Sequence, residues 1–206
     1  MQREQYKAAI QERIIAQKLG AVFVPSDFKD IADRQTSKKA LLRLSEEKII
    51  RRVMRGIYEY PEYSDFLEEF IAPDPNKVAQ ALARNYGWTI VPCGNTALNL
   101  LGLSTQVPAV WSYTSDGPYK TYEFDKVVLK FKHTTNKEIT GIGQKSALVI
   151  EALKTLGSDN IDSAIIKLAH DLTLDEKKTM LSETQYVTSW IYEGIKKICR
   201  LGDGNA

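Results

Sequence analysis

The chain has 206 residues, 43% hydrophobic and 26% charged, enough for one large domain or two small ones at about 100 to 200 residues each. These proportions exclude wholesale disorder, collagen-like and disulfide-scaffold classes, and the two cysteines, Cys93 and Cys199, form no zinc or redox spacing. The net charge of +2 conceals an asymmetry: residues 1–63 hold 13 Lys+Arg against 9 Asp+Glu, the remaining 143 hold 15 against 17, and the stretch from Arg34 to Tyr58 holds eight basic residues and two acids. Charge concentrated this way in a balanced chain is an electrostatic footprint for a polyanion.

From Glu4 to Lys18, Tyr6, Ile10 and Ile14 recur every four residues beside Ala9, which predicts one amphipathic helix ended by Gly20. Residues 21–25 read as a short β-prone run. Pro25 and Ser26 then open a brief second helix, with Ser26 as N-cap and Phe28 and Ile31 inward. The DRQT stretch breaks the pattern. A third helix is expected from about Ser37 to Glu47, with Ala40, Leu41 and Leu44 on one face and Lys38, Lys39, Leu42, Arg43 and Glu46 on the other.

After Lys48 the periodicity turns extended. Ile49-Ile50, Val53 and Ile57-Tyr58 are separated by Arg51-Arg52 and Arg55-Gly56, and Arg-Gly beside β-branched residues reads as a hairpin turn. Helix, short helix, turn, helix and basic hairpin is the order of a winged helix-turn-helix, which lays the helix after the turn in the major groove and the hairpin on the backbone or minor groove. The expected DNA-contacting residues are Arg34, Gln35, Thr36, Ser37, Lys38, Lys39 and Arg43 from the helix, and Arg51, Arg52, Arg55 and Tyr58 from the wing. Short or amide-bearing side chains and the Arg43 fork suit base edges or a first phosphate, and the wing arginines suit phosphates. With about five phosphates neutralised, log affinity should fall against log salt with a slope of roughly −4 to −5.

Pro61, Pro73 and Pro75 lie around an acidic-aromatic segment where the local charge changes sign. The expected organisation is a DNA-binding domain over 1–63, a linker over 64–75 and a second domain over 76–206. Phe66, Leu67, Phe70 and Ile71 have the spacing of a helix that would dock one domain on the other. Asp74-Pro75 predicts the N-cap and first position of a helix to about Tyr86, with Val78, Ala79 and Leu82 inward. Beyond it WTIVPC and AVWSYT read as strands around a short helix in GNTALNLLGL, and residues 116–135 as two strands around a turn at Asp116-Gly117-Pro118. The last third is helical, on faces marked by Val149, Ile150 and Leu153, by Ile161, Ile165 and Leu168, and by Ile191, Ile195 and Ile198, with a capping box at Thr173 and Glu176. The expected fold class is α+β, an N-terminal winged helix-turn-helix followed by a small mixed sheet covered by helices.

The stretch VFVPSDFKDIADRQTSKKALLRLSEEKIIRRVMRGIYEYP, with GNTALNLLGLSTQVPAVWSYTSDG downstream, resembles the AbiEi-type family, the antitoxin half of abortive-infection type E toxin-antitoxin systems. The likeness rests on a leucine-rich helix, a basic strand and the Arg55-Gly56-Ile57-Tyr58 end of the wing, then on a small-residue turn before Ala97-Leu98 and Leu101-Gly102-Leu103. It covers most of the chain from about residue 4 to 135 and is weak beyond. Lys48 departs from the family's form, where a glycine often closes the recognition helix. The resemblance implies a transcriptional repressor, the antitoxin of a type IV system, that binds double-stranded DNA repeats upstream of its own operon. It also implies a nucleotidyltransferase-like toxin as functional partner, countered without needing a stable complex, and neither catalysis nor a cofactor. The family's DNA-contacting role carries over only to the helix and wing positions named above.

Other constellations weigh less. Gly94-Asn95 followed by Glu123 and Asp125 has the order of a nucleotidyltransferase metal site, but 29 residues separate turn and acids, where that chemistry needs them close. His133 and His170 with two isolated cysteines make no metal cluster, and Cys93 has no base nearby. The segment from Gly141 to Ser146 lacks the four-residue gap of a phosphate loop and reads as a hinge or helix start. Tyr113, Tyr119 and Tyr122 alternate with polar residues as one strand face does. The first twenty residues carry a charge every few positions and no apolar run reaches 18, so a signal peptide and a membrane span are not expected and a cytoplasmic location is. Two alternatives stand beside the repressor: a winged-helix regulator whose C-terminal domain senses a ligand or partner protein, and a nucleotide-handling enzyme using Glu123 and Asp125.

Overall fold

The structure, a computed structural model, describes residues 3–134 and 141–201. The fold is α+β, and the chain packs as two compact units. The first runs to Trp88 and takes in Phe124–Lys126; the second is Thr89–Glu123 with the chain from Val127 onward.

The first unit begins with α1 (Arg3–Ile15), whose Ile10 and Ile14 are fully buried, as the four-residue stripe requires. After it come β1 (Val22–Phe23) and a 3-10 turn over Pro25–Phe28. The cap of that turn is Val24 rather than Ser26, because the Asp27 carboxylate accepts the Val24 N–H at 3.0 Å while Pro25 occupies the first position. Helix α2 spans Arg34–Glu46. It therefore starts three residues before the expected Ser37, and DRQT is its cap and first turn rather than a break. The Asp33 carboxylate accepts N–H bonds from Gln35 at 2.8 Å and Thr36 at 2.9 Å, plus the Thr36 hydroxyl at 2.7 Å.

A tight turn at Arg55-Gly56 joins β2 (Arg51–Met54) to β3 (Ile57–Glu59), with Gly56 at φ 80°, where a glycine pays no Cβ penalty. The sheet order is β1-β3-β2, all antiparallel, with Phe23 opposite Tyr58 and Arg52 opposite Tyr58 on the other side. Ile10, Ile14, Phe28, Leu41, Leu44 and Ile50 fill the core between α1, α2 and this sheet. Each such side chain contributes roughly 1.5–3 kcal/mol on leaving water.

The acidic-aromatic segment is not a helix. It forms a small hairpin, β4 (Tyr63–Ser64) with β5 (Glu69–Phe70), and Phe66 is 93% exposed at its tip. Helix α3 (Pro75–Tyr86) follows, capped by Asp74 and closed by left-handed Gly87. The sequence had it opening a domain at 76, yet it packs within the first unit. Arg84 reaches Asp27 at 3.0 Å and the Val22 carbonyl at 2.9 Å, and Lys77 donates to the Gly20 carbonyl at 2.9 Å.

The second unit holds a four-stranded sheet of order β6-β7-β9-β8, from β6 (Ile90–Pro92), β7 (Val110–Ser115), β8 (Lys120–Phe124) and β9 (Val127–His133). β7 pairs antiparallel with β6 and parallel with β9, so β8 lies at the edge. Residues 116–119 accordingly connect β7 to β8, and β8 turns into β9 at Asp125-Lys126 rather than at the expected 116–118. Between β6 and β7 runs α4 (Asn95–Leu100), and the last third is α5 (Gln144–Leu156), α6 (Asp162–Asp171), α7 (Leu174–Glu183) and α8 (Ser189–Leu201). Val149, Leu153, Ile165, Leu168, Ile191 and Ile195 make a core among those helices. The Thr173–Glu176 capping box is present. Among the described residues no helix is long and apolar enough to cross a membrane.

Candidate nucleic-acid interface

The early start of α2 decides which side chains can serve. Arg34, Lys38 and Leu42 lie four residues apart with Gln35 beside them, on an exposed flank of the helix next to buried Leu41. This face, the hairpin and the end of α3 enclose an open cleft of about 540 Å³. Arg34, Gln35, Lys38 and Leu42 form one wall; Arg52, Arg55 and Gly56 form the second; Asn85 and Tyr86 form the third, with Pro25 and Tyr58 between them. No acid lines it. The side chains of Lys38, Arg52 and Arg55 make no ion pair or hydrogen bond among the described residues, and that of Arg34 meets only the neutral Asn85 amide, at 3.2 Å.

The remaining expected contacts are placed differently. Ser37 is completely buried and turns its hydroxyl to the Ala32 carbonyl at 3.4 Å, so it is a core residue and reaches no ligand. Tyr58 is 2% exposed and belongs to the same core, with burial pushing its hydroxyl pKa up and Arg52 pulling it back. Arg51 is committed to the protein: it pairs with the buried Glu59 carboxylate and donates to the Ile71 carbonyl at 2.7 Å. Burial pushes the Glu59 carboxyl pKa up, against the lowering effect of Arg51. Thr36 is spent on the Asp33 cap, whose carboxyl those bonds hold below its usual range. Lys39 and Arg43 share a neighbouring stripe of α2, where Lys39 is exposed and Arg43 bonds Glu4 at 3.1 Å.

The expected set thus contracts to Arg34, Gln35, Lys38, Arg52 and Arg55 around one cleft, with Lys39 and Arg43 beside it. Asn85 and Tyr86 were missed. Tyr86 continues the apolar stripe of Val78 and Leu82 and reads from spacing as a core residue, yet it is 51% exposed. Only the amphipathic character of a tyrosine at a helix end hinted otherwise.

A family model described as "Family of unknown function (DUF6088)" matches residues 9–181, most of both units. The chain belongs to DUF6088. No curated protein matches the sequence.

Nothing in the DUF6088 description singles out a site, so the second unit's candidates rest on geometry alone. Gly143 and Ser146, at the start of α5, hold the Glu183 carboxylate at 3.0 and 2.6 Å. A protein carboxylate therefore occupies the position a phosphate would take. Tyr113 is buried and stacks on Phe131, Tyr122 meets Phe131 edge-on, and Tyr119 is 71% exposed, so the three do not make one surface. Burial pushes the Cys93 thiol pKa up, away from the thiolate a nucleophile needs. Among the described residues no three His, Cys, Asp or Glu side chains gather as a metal site.

Proposed function

We propose that the chain is a DNA-binding transcriptional repressor of the AbiEi antitoxin type, and that its first unit is a winged helix-turn-helix. The observation that carries this reading is the cleft, where Arg34, Lys38, Arg52 and Arg55 converge without an acid partner. Four uncompensated cations around one concavity repel one another, and a polyanion relieves that repulsion. The order α1, β1, short turn, α2, hairpin and the sheet order β1-β3-β2 support α2 as recognition helix and the hairpin as wing.

In this reading Gln35 and Lys38 meet base edges in the major groove, while Arg34, Arg52 and Arg55 hold phosphates. The repeats upstream of its own operon and the nucleotidyltransferase-like toxin as functional partner follow from the family resemblance, and the cytoplasmic location from the charged N-terminal residues and the absence of a long apolar run in the sequence. No cofactor and no catalytic step are assigned.

The test is an anisotropy titration of the full chain on duplex DNA from upstream of its own gene against a scrambled duplex. The expected result is a preference of roughly a thousandfold or more for its own sequence, as specific binders have, lost when Lys38→Ala, Arg52→Ala and Arg55→Ala are combined. Equal affinity for both duplexes would reduce the role to nonspecific binding, and no affinity for either would end it.

A further inference from the structure

We propose that the end of α3 is part of the DNA-reading surface: Tyr86 contacts the strand that passes between α2 and the wing, and Asn85 positions Arg34 for it. This rests on the DNA-binding reading and extends it to a helix that lies outside the winged-helix elements.

Three observations meet here. Helix α3 is fixed to the unit by Arg84, which takes Asp27 through Nε at 3.0 Å and Nη2 at 3.2 Å, and by Lys77 on the Gly20 carbonyl. Its C-terminal end therefore has a set place beside the first turn of α2. There the Asn85 side-chain oxygen accepts the Arg34 Nη2 at 3.2 Å, which orients a guanidinium without cancelling its charge. Beside it the Tyr86 ring is stacked on Trp88, centroids 4.7 Å apart and planes 20° from parallel, and half exposed on the cleft wall. A pre-organised, half-exposed aromatic at the rim of a basic cleft can meet a deoxyribose or a thymine methyl at little cost in side-chain entropy.

The chemistry separates Tyr86 from the cations around it. A phosphate-neutralising side chain changes the salt dependence of binding, by about 0.9 in log–log slope for each phosphate, whereas an uncharged contact changes affinity alone. The experiment is a titration of the full chain on duplex DNA at four salt concentrations for the wild type, Tyr86→Ala, Tyr86→Phe, Arg34→Ala, Asn85→Ala and Arg34→Ala with Asn85→Ala, with thermal melts of each.

Tyr86→Ala is expected to bind on the order of tenfold more weakly at every salt concentration, as loss of one aromatic contact does, with slope and melting temperature unchanged and most of the loss restored in Tyr86→Phe. Arg34→Ala lowers the slope by about 0.9, and Asn85→Ala adds nothing in its background. Wild-type affinity in Tyr86→Ala, or a loss matched by a fall in melting temperature, overturns the Tyr86 contact. Additive effects of Arg34→Ala and Asn85→Ala overturn the positioning role. If the wild type binds with a slope near zero, and Arg34→Ala is silent too, the DNA-binding reading falls and this proposal with it.

Discussion

Lys48 sits at φ 61°, in the left-handed region, which costs a side-chain-bearing residue roughly 1–2 kcal/mol. It closes α2 in a Schellman arrangement: the Ile49 N–H reaches the Leu44 carbonyl at 3.0 Å and the Lys48 N–H reaches Ser45 at 3.2 Å. Glycine is the usual solution there, so Lys48→Gly should stabilise the protein by about 1 kcal/mol, seen as a higher denaturation midpoint; a lower midpoint contradicts this account of the turn. The carboxyl of Glu59 is likewise sensitive to its surroundings. Its folded pKa is raised above the ordinary value of 4.5, so its contribution is fully present below that value and is lost as pH rises through the raised one. Urea midpoints of wild type and Glu59→Gln, compared from pH 4 to 7, should show the wild type losing ground to the variant as pH rises, and a difference independent of pH would contradict it. Burial at single residues was the least legible part of the site. Ser37 and Tyr58 have the chemistry of ligand contacts, and only the register of α2 and the pairing of β3 between β1 and β2 turn them into the core.

At the scale of elements, a cap or an apolar stripe made a segment readable. Asp74-Pro75 and Thr173–Glu176 mark helix starts in sequence and in space, because each satisfies N–H groups that have no other partner. The segment over 62–71 lacks such a signal. Phe66, Leu67, Phe70 and Ile71 have helical spacing, but none is buried, so burial does not select a helix, and the Ile71 N–H bonds the Glu62 carbonyl at 2.8 Å to close a hairpin instead. At the start of α5, packing leaves Gly143 little room. A Cβ on Gly143 would lie 3.0 Å from both Glu183 carboxylate oxygens, so in Gly143→Ala that carboxylate must give by a few tenths of an ångström, which loosens its bonds to the Gly143 N–H and the Ser146 hydroxyl. A lowered melting temperature is expected, and an unchanged one would mean that the Glu183 contact adds nothing to stability.

Across the whole molecule, charge and chemistry divide in the same place. The basic excess of the first 63 residues is concentrated between Arg34 and Tyr58, and folding sorts that stretch further: Arg51 turns inward to Glu59, Arg43 pairs with Glu4 at the surface, and four cations gather on one cleft. The sequence showed the charge but not this sorting, because ion pairing depends on which elements meet. It also drew the boundary too early, at a run of prolines, because the contacts of Arg84 and Lys77 that hold α3 to the first unit cross 57 residues or more. The central claim is that the cleft is a surface for duplex DNA, and the salt dependence of binding by the full chain tests it most directly. With Arg34, Arg52 and Arg55 each neutralising one phosphate, the log–log slope should be roughly −2.5 to −3, shallower than the −4 to −5 expected for about five phosphates. A slope near zero, or one unchanged when Arg52 and Arg55 are both replaced by alanine, would contradict it.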